Sequence, residues 1–317
     1  MLLEAIYAQD CYAGSYGFRQ GRSPHEALHA LRQRCMTEGS GWIVEAAGSG
    51  DFDSIDSTRL RAVLRQRGND GRMRRLIGKG WRAGVMDAGA LTHPETGVVQ
   101  GGVRSPVLAH VFLHSVLDAG WESEGRPRMK GHCVLMRFAA DFVIGCAREE
   151  EAHKIMAVLP KRFARFGLPM HPTKTTLIAF RQPAAPQGSD GGNGTCTFLG
   201  LTHSWTKARR GCWVMKRRTA RTRLRRTKKS LWRWCRNKRH APLQYQYQRL
   251  CSTRRGHCQY DGMRGNFRVL EEGRRLAEKA WQYGWSRRSS KSPVGWEKLK
   301  KLMQTSPRPL PRIVHLL

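Results

Sequence analysis

The chain has 317 residues, of which 57 are Lys or Arg and 24 are Asp or Glu, so its formal net charge is +33. This length allows about two domains, and a 40% share of hydrophobic residues excludes wholesale disorder. So basic a surface predicts a polyanionic partner, with nucleic acid first and an anionic membrane surface as the weaker alternative.

Two common classes of segment are not predicted by this sequence. MLLEAIYAQD carries acids and has no apolar core of signal-peptide length, and the most apolar run, VLAHVFLHSVL, is interrupted by two histidines. We therefore expect a soluble, cytoplasmic protein without a membrane segment. The nine cysteines contain no CxxC pair, which favours reduced buried thiols over a structural zinc site.

The first third of the chain predicts two helices around a short buried strand. Ser23 before a proline, with Glu26 three residues later, has the form of a capping box and begins a helix over 24–35. WIVEA (42–46) predicts the strand, and a helical stretch follows from Ser57 to about residue 80.

The middle of the chain predicts a β-hairpin between helices. A turn-rich loop (89–106) precedes an apolar helix (107–118), and CVLMRFAADFVIGCA (133–147) predicts strand, tight turn and strand. An amphipathic helix covers 148–166, and TTLIAF and CTFLGLTH predict short strands beyond it. Interleaved helices and strands around a hairpin favour an α+β fold over a doubly wound sheet.

The composition changes abruptly near residue 205. Residues 191–260 contain no Asp or Glu, and 19 of them are Lys or Arg. Residues 216–239 carry an apolar stripe at helical spacing, so we expect a basic helix there and a domain boundary that separates 1–204 from 205–317. Charge of this density, with tryptophans interleaved, favours contact with phosphate over a merely solvated face. The residues expected to bind RNA are Lys216, Arg217, Arg218, Arg221, Arg225, Lys228 and Lys229.

Seven segments, in order along nearly the whole chain, carry a family resemblance. They are SYGFRQGRSPHEAL (15–28), GVVQGGVRSPVLAHVFLHSVLD (97–118), RFAADF (137–142), MHPTKTTL (170–177), FLGLTH (198–203), GHCQYDGMRGNF (256–267) and the closing RRSS…WEKLKKLMQTSPRPLPRI. Together they resemble the group II intron reverse transcriptases, in particular the bacterial members that lack an endonuclease. The resemblance implies a right-hand polymerase palm with fingers in 1–204 and an all-α, basic thumb/maturase domain in 205–317.

The resemblance also implies a site for two Mg²⁺ ions, held by three aspartates of the family. This sequence departs at two of those positions. WIVEAAGSGDFDSID aligns with the family's WIVEADIRGFFDSID and places Ala47 where one aspartate belongs, while Ala140 replaces the first acid of the hairpin turn and leaves Asp141. Asp51 or Asp53 lies too far along an extended strand to replace residue 47 unless the segment loops back. We therefore expect polymerase activity to be lost, with Asp141 retained as a metal ligand or as a simple turn acid.

Other positions of the family pattern are present in this sequence. The resemblance implies nucleotide or template contacts for Phe52, Gln100, Gly101, Gly102, Arg19, Arg22 and Lys174, and a primer grip at Phe198, Leu199 and Gly200. Phe52 could equally be an ordinary core residue. Only MLLEAIYAQDCYAG precedes the SYGF segment, so we expect part of the fingers to be absent.

Three functions stay open at this point. The first is an inactive maturase-like protein that binds intron RNA or another structured RNA. The second is an active RNA-directed DNA polymerase with unusual metal ligands that also binds an RNA/DNA primer-template. The third is a basic RNA-binding protein without polymerase chemistry or any link to introns.

Overall fold

Helices and strands alternate through the first two thirds of the chain, and long helices dominate the last third. The computed structural model describes residues 6–47, 57–67, 70–82, 85–87, 90–92, 105–171, 174–183, 194–288, 297, 301 and 309–316. The helices are α1 (Pro24–Thr37), α2 (Ser57–Arg67), α3 (Gly71–Arg82), α4 (Ser105–Leu113), α5 (Glu149–Arg165), α6 (Arg221–Asn237), α7 (Leu243–Asp261) and α8 (Phe267–Ser286). The strands are β1 (Trp42–Ala47), β2 (Val85–Asp87), β3 (Ala90–Thr92), β4 (Cys133–Phe138), β5 (Asp141–Cys146), β6 (Thr176–Ala179), β7 (Cys196–Phe198), β8 (Leu201–Lys207) and β9 (Trp213–Thr219).

A four-stranded antiparallel sheet in the order β4-β5-β1-β6 forms the centre of the first part of the chain. Its strands are rich in Val, Ile and Phe, and nearly every residue of β4 and β5 is buried. Alternate side chains such as Leu135, Phe142 and Ile144 join one apolar cluster with Phe112 of α4 and Phe163 of α5. This packing confirms the predicted α+β class.

The ends of two helices follow their sequence signals. At the start of α1 the Ser23 hydroxyl accepts from the Glu26 backbone N–H at 3.2 Å, and the Glu26 carboxylate accepts from the Ser23 N–H at 2.9 Å. This confirms the predicted capping box. Helix α5 has three glutamates in its first turn, where the helix dipole favours negative charge, and Gly167 follows its end with a φ of +72°.

Three segments differ from the sequence-based expectations. The stretch expected as one helix from Ser57 is two helices, because Asp70 caps a new one by accepting from the backbone N–H of Arg72 at 2.8 Å. The expected loop 89–106 begins with β3, which pairs with β2. The basic helix expected over 216–239 begins only at Arg221, since residues 213–219 form a strand.

The chain divides into two compact units. Unit 1 comprises Met1–Leu199 and Arg209–Trp213, and unit 2 comprises Gly200–Ala208 and Val214–Leu317. Strands β7, β8 and β9 form a three-stranded sheet in that order. In unit 2, helices α6, α7 and α8 pack around Cys235, Leu250 and Trp281. No helix within the described ranges is long and apolar enough to cross a membrane.

Candidate functional site

The β4–β5 hairpin and the end of β1 bring together three predicted site positions, Ala47, Ala140 and Asp141. Asp141, the first residue of β5, is the direct partner of Ala47 on β1 and of Phe138 on β4. Directly paired residues project from the same face of a sheet, so the Asp141 carboxyl and the Ala47 methyl lie side by side. Asp141 is the exposed residue of an otherwise buried strand.

The turn of this hairpin consists of Ala139 and Ala140. Ala139 has a φ of +55°. L-residues adopt this conformation at a cost in backbone strain, and two-residue hairpin turns require it at their first central residue. The Arg137 guanidinium donates to the Ala139 carbonyl at 3.1 Å and so stabilises the turn. Ala140 is partly buried and packs against the apolar cluster of unit 1.

Arg137 is itself anchored by a buried ion pair. Its side chain and that of Asp118 are both fully buried, and Nε and Nη2 of Arg137 donate to the two carboxylate oxygens of Asp118 at 2.8 and 2.5 Å. Burial acts to raise the pKa of Asp118, but the Arg137 charge and the His114 contact outweigh it and hold that pKa below its ordinary value. Sequence reasoning missed this pair, although an arginine inside the apolar run CVLMRF requires a buried partner.

The segment before α1 lies directly against the hairpin. The backbone N–H of Tyr16 donates to the Arg137 carbonyl at 2.9 Å, and the Arg137 N–H donates to the Gly14 carbonyl at 2.9 Å. A Cβ on Gly17 would lie 2.3 Å from the Ala139 nitrogen. The glycine of the SYGF motif is therefore required by this close backbone approach.

The two predicted arginines of this segment make local contacts. Nη1 of Arg19 donates to the carbonyls of Tyr12 and Ser15 at 2.9 and 2.8 Å, and the Arg22 guanidinium lies 5.3 Å from the centroid of the Tyr16 ring. Arg19 thus stabilises the loop that supports the hairpin. Its expected contact with phosphate stays a prediction.

A second acid shares the face of Asp141. Glu45 is two residues before Ala47 on β1, and its carboxylate accepts from the Thr197 backbone N–H at 2.8 Å. Burial raises the pKa of Glu45, as does the nearby charge of Asp141. Partial desolvation raises the pKa of Asp141 above its ordinary value, and the positive charge of Lys174 acts in the opposite direction.

The described residues do not fit a pair of divalent ions. Mg²⁺ takes hard oxygen ligands in near-octahedral geometry, and a two-metal site requires several carboxylates within reach of both ions. Here the position opposite Asp141 carries a methyl group, and within the described ranges no group of three His, Cys, Asp or Glu side chains could hold a metal. Asp51 and Asp53 lie outside the described residues.

The remaining nucleotide and primer-grip positions are partly described. Phe52, Gln100, Gly101 and Gly102 lie outside the described residues. Phe198 is buried at the end of β7, and Leu199 and Gly200 form a tight turn with φ values of +52° and +74°. Two successive positive φ values make a type I′ hairpin turn, whose twist matches that of the strands it joins.

The expected RNA-binding residues separate into two groups. Lys216, Arg217 and Arg218 lie on β9, where Arg217 is 2% exposed. Burial lowers the pKa of His203 on β8 to about 3, and the charge of Arg217 acts in the same direction. Lys228 pairs with Glu272. Arg221, Arg225 and Lys229 lie on an exposed face of α6 together with Arg226 and Arg233, which sequence reasoning missed although they continue the same helical spacing.

Comparisons with known proteins relate this chain to reverse transcriptases and intron-encoded proteins. A family model described as reverse transcriptase (RNA-dependent DNA polymerase) matches residues 2–203. Protein YkfC of Escherichia coli is 34% identical over 117 residues, which cover 36% of this chain and 31% of YkfC. The group II intron-encoded protein LtrA of Lactococcus lactis is 34% identical over 116 residues, which cover 37% of this chain and 19% of LtrA. The chain thus spans less than a third of these relatives. The solved structure of apo telomerase from Candida tropicalis overlaps 96% of this chain and 49% of its own, with 11% identity and a TM-score of 0.48.

Proposed function

Because this chain belongs to the reverse transcriptase (RNA-dependent DNA polymerase) family, we propose that it binds structured RNA, such as that of a group II intron, without adding nucleotides. Family membership confirms the resemblance carried by the sequence motifs, and LtrA is one of the intron-encoded relatives. The family generally uses divalent metal ions such as Mg²⁺. The proposal concerns what this chain does without a complete set of metal-binding carboxylates.

One observation supports the proposed loss of polymerase activity. Ala47 is the direct partner of Asp141, so the carboxylate that a second metal contact requires is replaced by a methyl group. Glu45 does not supply a substitute, since its carboxylate is engaged by the Thr197 backbone.

Charge supports the RNA-binding half of the proposal. The net charge of +33 favours a polyanionic partner, and the exposed cations of α6 offer a surface for it. A maturase role requires RNA binding and no metal-bound nucleotide, so it is compatible with a degenerate palm. We propose this role for residues 205–317, where the sequence resembles the family's thumb/maturase region.

The test separates binding from chemistry. The full chain is titrated with a structured group II intron RNA in filter binding, and extension of a DNA primer on an RNA template is measured with Mg²⁺ and with Mn²⁺. We expect salt-sensitive RNA binding and no nucleotide incorporation above background. Ala47→Asp combined with Ala140→Asp is the matched variant, and its RNA affinity should equal that of the wild type.

Two results would contradict the proposal. Metal-dependent primer extension by the wild type, abolished by Asp141→Asn, would establish an active polymerase with unusual ligands. RNA affinity that does not change with salt concentration would remove the electrostatic binding on which the proposal depends.

A further inference from the structure

The outward face of α6 is a continuous strip of cations. Arg221, Arg225, Arg226, Lys229 and Arg233 are all exposed and line one shallow groove along the helix. Residues at i and i+4 lie one above the other on a helix, with a rise of about 6 Å between them. Arg221, Arg225, Lys229 and Arg233 therefore form one row, and Arg226 lies beside it. We call this set of five cations the outer row of α6.

Another face of α6 packs against α8. Leu231, Trp232 and Cys235 pack with Trp281 of α8 in the apolar cluster of unit 2. The five cations of the outer row are exposed and lie outside this contact.

Four acids of unit 2 are paired with cations outside the outer row. Glu272 pairs with Lys228, and Asp261 lies 3.7 Å from Arg223. Glu271 and Glu278 both pair with Arg274. Within the described ranges no ion pair involves a member of the outer row. Like charges one turn apart on a helix repel, so the row is destabilising until an external anion neutralises it.

The described residues that line this groove include no aromatic side chain. Trp232 packs edge-on against Tyr283 with ring centroids 5.1 Å apart, and the Trp234 ring lies 6.4 Å from that of Tyr245. Between the cations the groove carries instead the hydroxyls of Thr222 and Ser230. Proteins that hold unpaired strands stack bases on aromatic rings, whereas duplexes are contacted mainly through phosphates and sugars. A groove of cations and hydroxyls without aromatic rings therefore fits a sugar-phosphate backbone better than unpaired bases.

The chemistry of the helix also argues against a membrane surface. A helix that lies on a bilayer inserts an apolar face among the lipids. The apolar side of α6 is already covered by α8, and its exposed side carries cations and hydroxyls.

We propose that the outer row of α6 binds the sugar-phosphate backbone of a base-paired region of the RNA partner, without regard to its sequence. This inference rests on the proposed function, because it specifies which residues bind the RNA and that the bound region is base-paired. Arg217 and Lys228, which sequence reasoning counted among the binding residues, are excluded from the row because one is buried and the other is paired.

The test uses the full chain and three probes of equal length: an RNA duplex of arbitrary sequence, an RNA·DNA hybrid duplex and an unpaired RNA strand. The variant is Arg225→Gln with Lys229→Gln and Arg233→Gln. The matched control is Arg249→Gln with Arg255→Gln and Lys279→Gln, which removes the same charge from exposed positions of α7 and α8. Circular dichroism verifies that both variants are folded.

We expect the wild type to bind both duplexes more tightly than the unpaired strand. The outer-row variant should bind duplex at least about tenfold more weakly, with the slope of log K against log salt reduced by roughly 2 to 3. The control should change that slope by less than about 1. Equal losses for the two duplexes identify the shared phosphate backbone, and a larger loss for the RNA duplex identifies the 2′-hydroxyls as additional contacts.

The outcomes distinguish the two proposals. If the wild type binds RNA with a normal salt slope but the outer-row variant matches the control, this inference is wrong and the proposed function stands. Preference for the unpaired strand, or an equal loss of binding to phosphatidylserine vesicles, would also overturn it. If the wild type binds no RNA probe, the proposed function itself fails.

Discussion

Ala47 and Asp141 are direct partners across the antiparallel β1–β5 pair, so a methyl group faces the hairpin carboxylate. The pairing of β1 with β5 is therefore intact where the family resemblance places two metal ligands, and the side chain at position 47 supplies no oxygen atom. Contacts with neighbouring residues stabilise the backbone of the hairpin. The turn depends on Arg137, on Asp118 and on the glycine at position 17, and none of these contacts involves a metal.

Ala47→Asp should destabilise the protein in the absence of metal. The new carboxylate would lie directly opposite Asp141, and like charges at paired strand positions are unfavourable by about 0.2–1 kcal/mol. Mn²⁺ or Mg²⁺ should reverse the loss by binding between the two acids. Denaturant midpoints with EDTA and with added metal measure both effects. Ala47→Asn is the uncharged control, and an equal response of the two variants to metal would contradict the expectation.

Asp118→Ala should cost about 3–5 kcal/mol, because it leaves the fully buried Arg137 guanidinium without a counter-charge. Glu272→Gln removes the partner of Lys228 at the surface and should cost at most about 1 kcal/mol. Urea unfolding measures both values. Similar costs for the two variants would show that burial of the Arg137 pair has little energetic effect.

The same pair predicts a pH dependence. The pKa of Asp118 is lower in the folded protein than its ordinary value of about 3.9, so its stabilising contribution is complete above that pH. The contribution is lost as the pH falls through the folded pKa. The difference in unfolding free energy between the wild type and Asp118→Asn should therefore shrink below about pH 4. A constant difference across that range would contradict the assignment.

Gly17→Ala should displace the SYGF segment from the hairpin, since the added Cβ would lie 2.3 Å from the Ala139 nitrogen. We expect a loss of about 1–3 kcal/mol, typical of overpacking. Gly78→Ala is the matched control, because nothing lies within 4 Å of its added Cβ and alanine is favoured inside α3 by about 0.5–1 kcal/mol. Thermal unfolding should show opposite signs for the two variants.

The hairpin turn offers a second matched pair. Ala139 has a φ of +55°, whereas Ala140 has no positive φ. Ala139→Gly relieves backbone strain and should stabilise by a few tenths to about 1 kcal/mol, after the added entropy of the unfolded chain is counted. Ala140→Gly adds that entropy and removes a methyl group that packs against the apolar cluster, so it should destabilise by at least about 0.4–1 kcal/mol. Two changes of the same sign in denaturant unfolding would contradict this account of the turn.

Local signals in the sequence determined several parts of this protein. The capping box at Ser23, the strand at Trp42–Ala47 and the hairpin around Asp141 all depend on contacts between near neighbours. Periodicity and turn residues report such contacts directly. Family membership could also be predicted, since its motifs are ordered strings of residues. The alanines at positions 47 and 140, where the resemblance predicts aspartates, are read from the sequence alone.

Only the tertiary structure decided how separate segments meet. It pairs Ala47 with Asp141 and Arg137 with Asp118, residues that are far apart in the chain. It also divides the basic segment, since strand β9 buries Arg217 whereas α6 exposes Arg225. The sequence does not show whether a charged side chain is buried, paired with an acid or exposed. Packing distinguishes these cases, because one face of α6 meets α8 while the cations on its other faces stay exposed.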